Sequence, residues 1–203
     1  MLILALDSSA APASAALLED GKILSEFYIN TKQTHSQTLM PMVESVLKLT
    51  NKTLDDVTCM AVSAGPGSFT GVRIGVSCVK GLSMTRNIPC AGVSTLRAMA
   101  ENARQLTGIV CAVMDARCGQ VYNALFEIKN GKVIRLCEDR ALTLDELRKM
   151  GGEPVWIDDW FEDSHGWELS EDASDYFDGY GRTVKSYGTR WVAYRSKPKE
   201  DKL

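Results

Sequence analysis

The sequence predicts an α/β fold built on a duplicated unit, and three observations predict it. A pattern of strand, aspartate, turn and strand occurs twice, helix-period segments lie between the copies, and a glycine-rich loop joins a strand to a helix. The first copy runs Leu4-Ala5-Leu6-Asp7, through residues 8–14, into Ala15-Ala16-Leu17-Leu18 and then Asp20-Gly21-Lys22-Ile23-Leu24. The second runs Ala112-Val113-Met114-Asp115, through residues 116–120, into Val121-Tyr122-Asn123-Ala124-Leu125-Phe126 and then Asn130-Gly131-Lys132-Val133-Ile134. An Asp-Gly or Asn-Gly pair between alternating apolar runs is a strong hairpin signal, because both residues accept the positive φ that a tight turn requires. A supersecondary unit present twice points to duplicated lobes.

The other elements follow in chain order. Met1-Leu2-Ile3-Leu4-Ala5-Leu6-Asp7 has no basic leader segment and reads as a first strand, not as a signal peptide. Residues 36–49 place Leu39, Val43, Val46 and Leu47 on one helical face, with Pro41 tolerated in the first turn. A strand-like run containing Val57, Met60, Val62 and Ser63 leads into Gly65-Pro66-Gly67-Ser68-Phe69-Thr70-Gly71-Val72-Arg73-Ile74-Gly75. The following segment, 72–84, is a helix with small residues Gly75 and Gly81 that permit close helix contact. Residues 95–106 and 143–150 are also helical, the latter opening with the capping box Thr143-x-x-Glu146.

Composition limits the functional classes. The 203 residues suffice for a buried core, in one domain or two small lobes. A net charge of −3 supplies no global basic field for direct nucleic-acid binding. No apolar run approaches the ~20 residues of a membrane span. Cys59, Cys78, Cys90, Cys111, Cys118 and Cys137 lie scattered in apolar segments without a C-x-x-C pair, which fits reduced core thiols in a cytoplasmic protein. Near Gly151-Gly152 the style changes. All four tryptophans (Trp156, Trp160, Trp167, Trp191) follow it, ten acidic residues without Lys or Arg fill 153–178, and seven basic against two acidic residues fill 179–203.

The glycine loop leaves helix N–H groups unpaired and lets the backbone approach something closely, so it is either an anion cradle or a tight turn packed under a neighbour. It is not a Walker loop, since Val72 and Arg73 follow Gly71 where that motif has Lys and Ser/Thr. Asp7, followed by Ser8 and Ser9, could hold Mg²⁺ beside a phosphate or simply cap a hairpin turn. Gly65, Gly67, Ser68, Thr70 and Gly71, with Asp7 and Ser8, are therefore the nucleotide- or phosphate-proximal candidates. Arg73 could pair with a phosphate or with a partner's carboxylate, or be an ordinary solvated arginine. His35 has Leu39 one turn on, where a metal pair would need a second histidine, and the other histidine, His165, lies in the dissimilar tail. Ser68 is not in a nucleophile elbow and has no base or orienter beside it. No catalytic constellation and no metal site emerge.

Asp7 with its hairpin, His35-Ser36-Gln37, the loop from Gly65 to Gly75, Lys80-Gly81-Leu82, Gly92-Val93-Ser94 and Asp115-Ala116-Arg117 together resemble the TsaB (YeaZ) family over residues 1 to about 150. The resemblance implies the ASKHA fold, the duplicated architecture of actin-like ATPases, sugar kinases and Hsp70, also called ribonuclease H-like. It implies a part in making N6-threonylcarbamoyladenosine in tRNA, as the accessory paralogue of TsaD, which carries the metal-binding histidines, alongside the ATPase TsaE. ATP, ADP and Mg²⁺ would then belong to the partner complex, tRNA would be met indirectly, and no cofactor of this chain's own is expected.

The family's TsaD contact uses helices that correspond here to 36–49 and 72–84, so Met40, Val72, Gly75, Val76 and Val79 with Arg73 are the expected interface. The same surface could form a homodimer when TsaD is absent. A Gly75→Glu charge is expected to break that contact and leave the monomer folded. The resemblance stops near Glu153. The expected organisation is an N-terminal lobe at 1–107, the start of a second lobe at 108–152, and a divergent tail at 153–203. The second lobe would be incomplete or replaced by a small β-rich tail, with a hairpin over 187–198. The competing function is an ATP-dependent phosphotransferase or hydrolase using Asp7 and the glycine loop.

Overall fold

The computed structural model describes residues 1–31, 33–150, 153–157 and 191–195. The chain divides into two compact units, the first being Met1–Ala98 and the second beginning at Met99. Each is built on a three-stranded antiparallel meander, and helices alternate with strands in the first unit, which together make the duplicated α/β arrangement expected.

In the first unit β1 (Leu2–Asp7), β2 (Ala13–Glu19) and β3 (Lys22–Ile29) form the meander. Strands β4 (Cys59–Gly65) and β5 (Cys90–Ser94) extend it in the order β3-β2-β1-β4-β5, with β4 parallel to β1 and β5 parallel to β4. Parallel neighbours require crossovers. Helix α1 (His35–Leu49) and helix α2 (Phe69–Met84) provide them, and both pack on the sheet. The core is filled by Leu4, Leu17, Leu39, Met42, Val46 and Met60, drawn from alternating strand positions and one face of α1. Helix α1 begins one residue before the expected 36–49 and is capped by a Thr34/Gln37 box. Helix α2 begins three residues before the expected 72–84, because the Ser68 hydroxyl caps it by accepting from the Gly71 N–H.

Helix α3 (Thr95–Glu101) ends well short of residue 106. In the second unit β6 (Gly108–Arg117), β7 (Gln120–Lys129) and β8 (Lys132–Arg135) repeat the meander. Strand β9 (Arg140–Thr143) pairs with the first half of β7, and helix α4 (Leu144–Lys149) follows it. The Thr143/Glu146 box caps α4 with both reciprocal bonds in place. The Gly-Lys turns agree in detail. Asp20 and Gly21 have φ of 49° and 82°, and Asn130 and Gly131 have 52° and 69°, the left-handed pair of a two-residue hairpin.

Beyond residue 150 two strands are described, β10 (Glu153–Ile157) and β11 (Trp191–Arg195). They pair antiparallel with each other, and β11 lies antiparallel to β6, where the first sheet has β4 parallel to β1. The remainder of the expected hairpin at 187–198, the acidic stretch and His165 lie outside the described residues.

Candidate functional site

Strand β1 delivers Asp7 to the C-terminal end of the first sheet, where the chain turns into β2. The Ser9 N–H donates to Asp7 Oδ1 at 2.7 Å, so that carboxylate oxygen is engaged within its own turn. Ser8 and Ser9 are both 1% exposed, an unusual burial for a hairpin turn, and the glycine loop is what covers them. Ser8 Oγ donates to the Gly71 carbonyl at 2.9 Å, and the Ser68 N–H donates to the Ser9 carbonyl at 2.6 Å.

The glycines stand four residues apart because this contact demands it. A Cβ on Gly67 would lie 2.4 Å from the Ser9 carbonyl oxygen, one on Gly71 2.0 Å from the Ser8 carbonyl oxygen, and one on Gly75 2.5 Å from Ser8 Oγ. The loop's close approach is therefore to the chain's own hairpin turn. Of its amides, Ser68 N–H and Gly71 N–H are both taken, by Ser9 and by the Ser68 hydroxyl. His35, opening α1, completes the clamp with its Nε2 2.8 Å from the Ala10 carbonyl oxygen.

The expected partner positions separate into two groups. Gly75 and Val79 are buried, Gly75 against Ser8 and Val62, and Val79 in the core at 1% exposure. They face their own sheet, which corrects their assignment as exposed interface positions. A glutamate at 75 would be driven into that core, so Gly75→Glu tests folding and not association. Met40 and Val72 are half-buried, Val76 packs partly against the core, and Arg73 is exposed.

What faces outward at the start of α2 is a groove of about 410 Å³ lined by Ser36, Phe69, Thr70, Arg73, Ile74, Ser77 and Cys78. Phe69 is 69% exposed, and the Arg73 guanidinium lies 3.5 Å from its ring centroid. Stacking in water on an exposed ring contributes about 0.5–1 kcal/mol and holds both side chains in one pose. Phe69 and Ser77 escaped sequence reasoning, although their spacing of four from Arg73 places all three on one helical stripe.

The matching turn in the second unit is built differently. Asp115 Oδ1 accepts from the Arg117 N–H at 2.7 Å, as Asp7 does from Ser9. Arg117, Cys118 and Gly119 then run through φ of 66°, 53° and 72°, all exposed. Beneath this turn Asn123, fully buried, donates to Cys111 Sγ and the Ala112 carbonyl and accepts from Arg140 Nε at 3.0 Å. Burial pushes the Cys111 thiol up to about 12 against the opposing pull of the Asn123 bond. Among the described residues no group of three or more His, Cys, Asp or Glu is placed to hold a metal, and no helix is long and apolar enough to cross a membrane.

Residues 22–178 match the family described as "TsaD: tRNA N6-adenosine threonylcarbamoyltransferase". The "tRNA threonylcarbamoyladenosine biosynthesis protein TsaB" of Bacillus subtilis is 37% identical over 150 residues, covering 74% of this chain and 66% of that protein. The protein of the same description from Escherichia coli is 34% identical over 179 residues, covering 85% of this chain and 74% of that protein. The solved structure "YeaZ from Pseudomonas aeruginosa" superposes with a TM-score of 0.65 at 34% identity, over 70% of this chain and 67% of that one. The chain thus spans just under two thirds of the Bacillus subtilis relative and about three quarters of the Escherichia coli one.

Proposed function

The chain belongs to the TsaB (YeaZ) family, and on that premise we propose that it is a non-catalytic scaffold subunit in tRNA threonylcarbamoyladenosine biosynthesis. It binds and stabilises a TsaD-type transferase, joins TsaE in the complex, and meets tRNA through its partners, in the cytoplasm. The observation that carries the proposal is the self-occupied loop. The glycine loop spends its close approach on the Ser8–Ser9 carbonyls, and the Asp7 carboxylate turns inward to the Ser9 amide. A loop committed in this way has little left with which to cradle a phosphate.

The docking face is carried by Met40, Val72, Arg73 and Val76 with Phe69 beside them, and the same face pairs two copies when TsaD is absent. The lobe limits 1–107 and 108–152, with a separate tail at 153–203, belong to this proposal. Its test is co-expression with the TsaD of the same genome, followed by gel filtration with mass measurement. A heterodimer is expected, and Arg73→Glu should weaken it about tenfold, as expected for an exposed charged anchor. Two proteins eluting separately would overturn the proposal. So would saturable ATP binding by the isolated chain that Asp7→Ala abolishes, which would favour an ATP-dependent phosphotransferase instead.

A further inference from the structure

We propose that His35 is a positioning residue, a latch that holds the N-termini of α1 and α2 in one register and so pre-forms the docking face; its binding arm rests on the TsaD reading above. The ring sits where three elements meet. It belongs to the first residue of α1, its Nε2 lies 2.8 Å from the Ala10 carbonyl oxygen of the β1–β2 turn, and its Cδ2 lies 3.2 Å from where a Cβ on Gly71 would stand in the first turn of α2. A carbonyl only accepts, so Nε2 carries the proton and donates it, with the ring plane fixed between turn and helix.

The two walls of the groove flank those same contacts. Ser36 follows His35, while Phe69, Thr70 and Arg73 surround Gly71. Helix α1 does not need the ring in order to form, because the Thr34/Gln37 box already caps it, and the core face of α1 is anchored by Leu39, Met42, Val43 and Val46. The imidazole therefore acts on where the helix start sits, not on whether the helix exists. A face assembled from two helices binds more tightly when their relative position is set before the encounter, since ordering them on binding costs affinity.

The experiment compares the full-length chain with His35→Ala and His35→Gln, the glutamine amide nitrogen reaching the place of Nε2. In the isolated proteins, exchange is followed at the Gln37 and Thr38 amides of α1 and at the Ser68, Gly71 and Val72 amides of α2. His35→Ala is expected to speed both groups together by about tenfold, leaving the β1 and β4 amides unchanged, and His35→Gln to stay within about threefold of the parent. In TsaD binding, His35→Ala is expected to raise Kd about tenfold, mainly through the off-rate, with His35→Gln restoring it.

Unchanged exchange at Ser68, Gly71 and Val72 in His35→Ala overturns the latch, as does a His35→Gln protein as loose as His35→Ala. Full TsaD affinity in a loosened His35→Ala protein overturns its role in docking. If the parent chain does not bind TsaD while the coupled exchange is seen, the latch stands and the partner assignment falls. Should His35→Ala not fold, His35→Asn, whose amide stops short of Ala10, takes its place in both arms.

Discussion

The two hairpin turns of this chain begin alike and end in opposite environments. In each, an aspartate at a strand end accepts the N–H of the residue two places on, Ser9 in the first and Arg117 in the second. The start of the first turn is then buried under the glycine loop and α1, with Ser8 and Ser9 at 1% exposure. The second is exposed and passes through three successive left-handed residues. The difference teaches that the local chemistry of a turn sets its shape, whereas its fate depends on what the following helices bring over it. Where Gly67 and the α2 glycines Gly71 and Gly75 arrive, Ser8 and Ser9 are covered by backbone at close approach.

Three measurements can break or sharpen that comparison, taken from the largest expected effect downward. Gly71→Val would force a side chain into the Ser8 carbonyl and should destabilise the fold on the order of 4 kcal/mol in urea denaturation. Gly119→Ala, at φ of 72° with open space around it, should cost only about 1 kcal/mol. Equal losses would erase the distinction between the clamped and the open turn.

The second measurement is thiol alkylation near pH 8. The Cys111 thiol, held at about 12, should react roughly a thousandfold more slowly than a thiol at its ordinary value. Cys118 in the open turn is exposed and should be modified well before Cys111. Modification of Cys111 at the rate of Cys118 in the native protein would show that the second unit is not packed around Asn123.

The smallest effect separates the two capping boxes. The box of α1 uses the neutral Gln37, while that of α4 uses Glu146, whose carboxyl the Thr143 N–H and hydroxyl hold below its ordinary value. A carboxylate with a lowered folded pKa contributes stability that is complete above its unfolded value of 4.5 and is lost as pH falls through the folded one. Acidifying from about pH 5 to about pH 3 should therefore lower the protection of the Glu146 amide, its exchange taken relative to the intrinsic rate at each pH, and leave the protection of Gln37 unchanged. Parallel loss at both helices would mean that a global transition, not the cap, is being read.

Much of this was legible in the sequence. The Asp20-Gly21 and Asn130-Gly131 turns, the alternation of the meanders, the α1 periodicity and the Thr143-x-x-Glu146 box act between residues close in the chain, and they appear as expected. The helix at 95–106 did not run its length, and β9 joined β7 with no pattern to announce it, since its partner lies some twenty residues upstream. The candidate site was half legible. The glycine loop and Asp7 stand out in the sequence, whereas the exposure of Phe69 and Ser77 on one helical stripe and the burial of Gly75 and Val79 against the sheet depend on tertiary packing.

By itself the sequence determined a duplicated α/β chain with a glycine-rich strand-to-helix junction, because propensity, periodicity and turn chemistry are local properties, and its motifs carried the resemblance to the TsaB (YeaZ) family. Only the tertiary structure decided what that junction approaches. Three glycines permit any close neighbour, whether an anion or a backbone. The neighbour is the chain's own Ser8–Ser9 segment, brought there by parallel pairing of β1 with β4 across more than fifty residues of sequence. That long-range pairing, and not the glycines themselves, sets Ser8 and Ser9 against the loop.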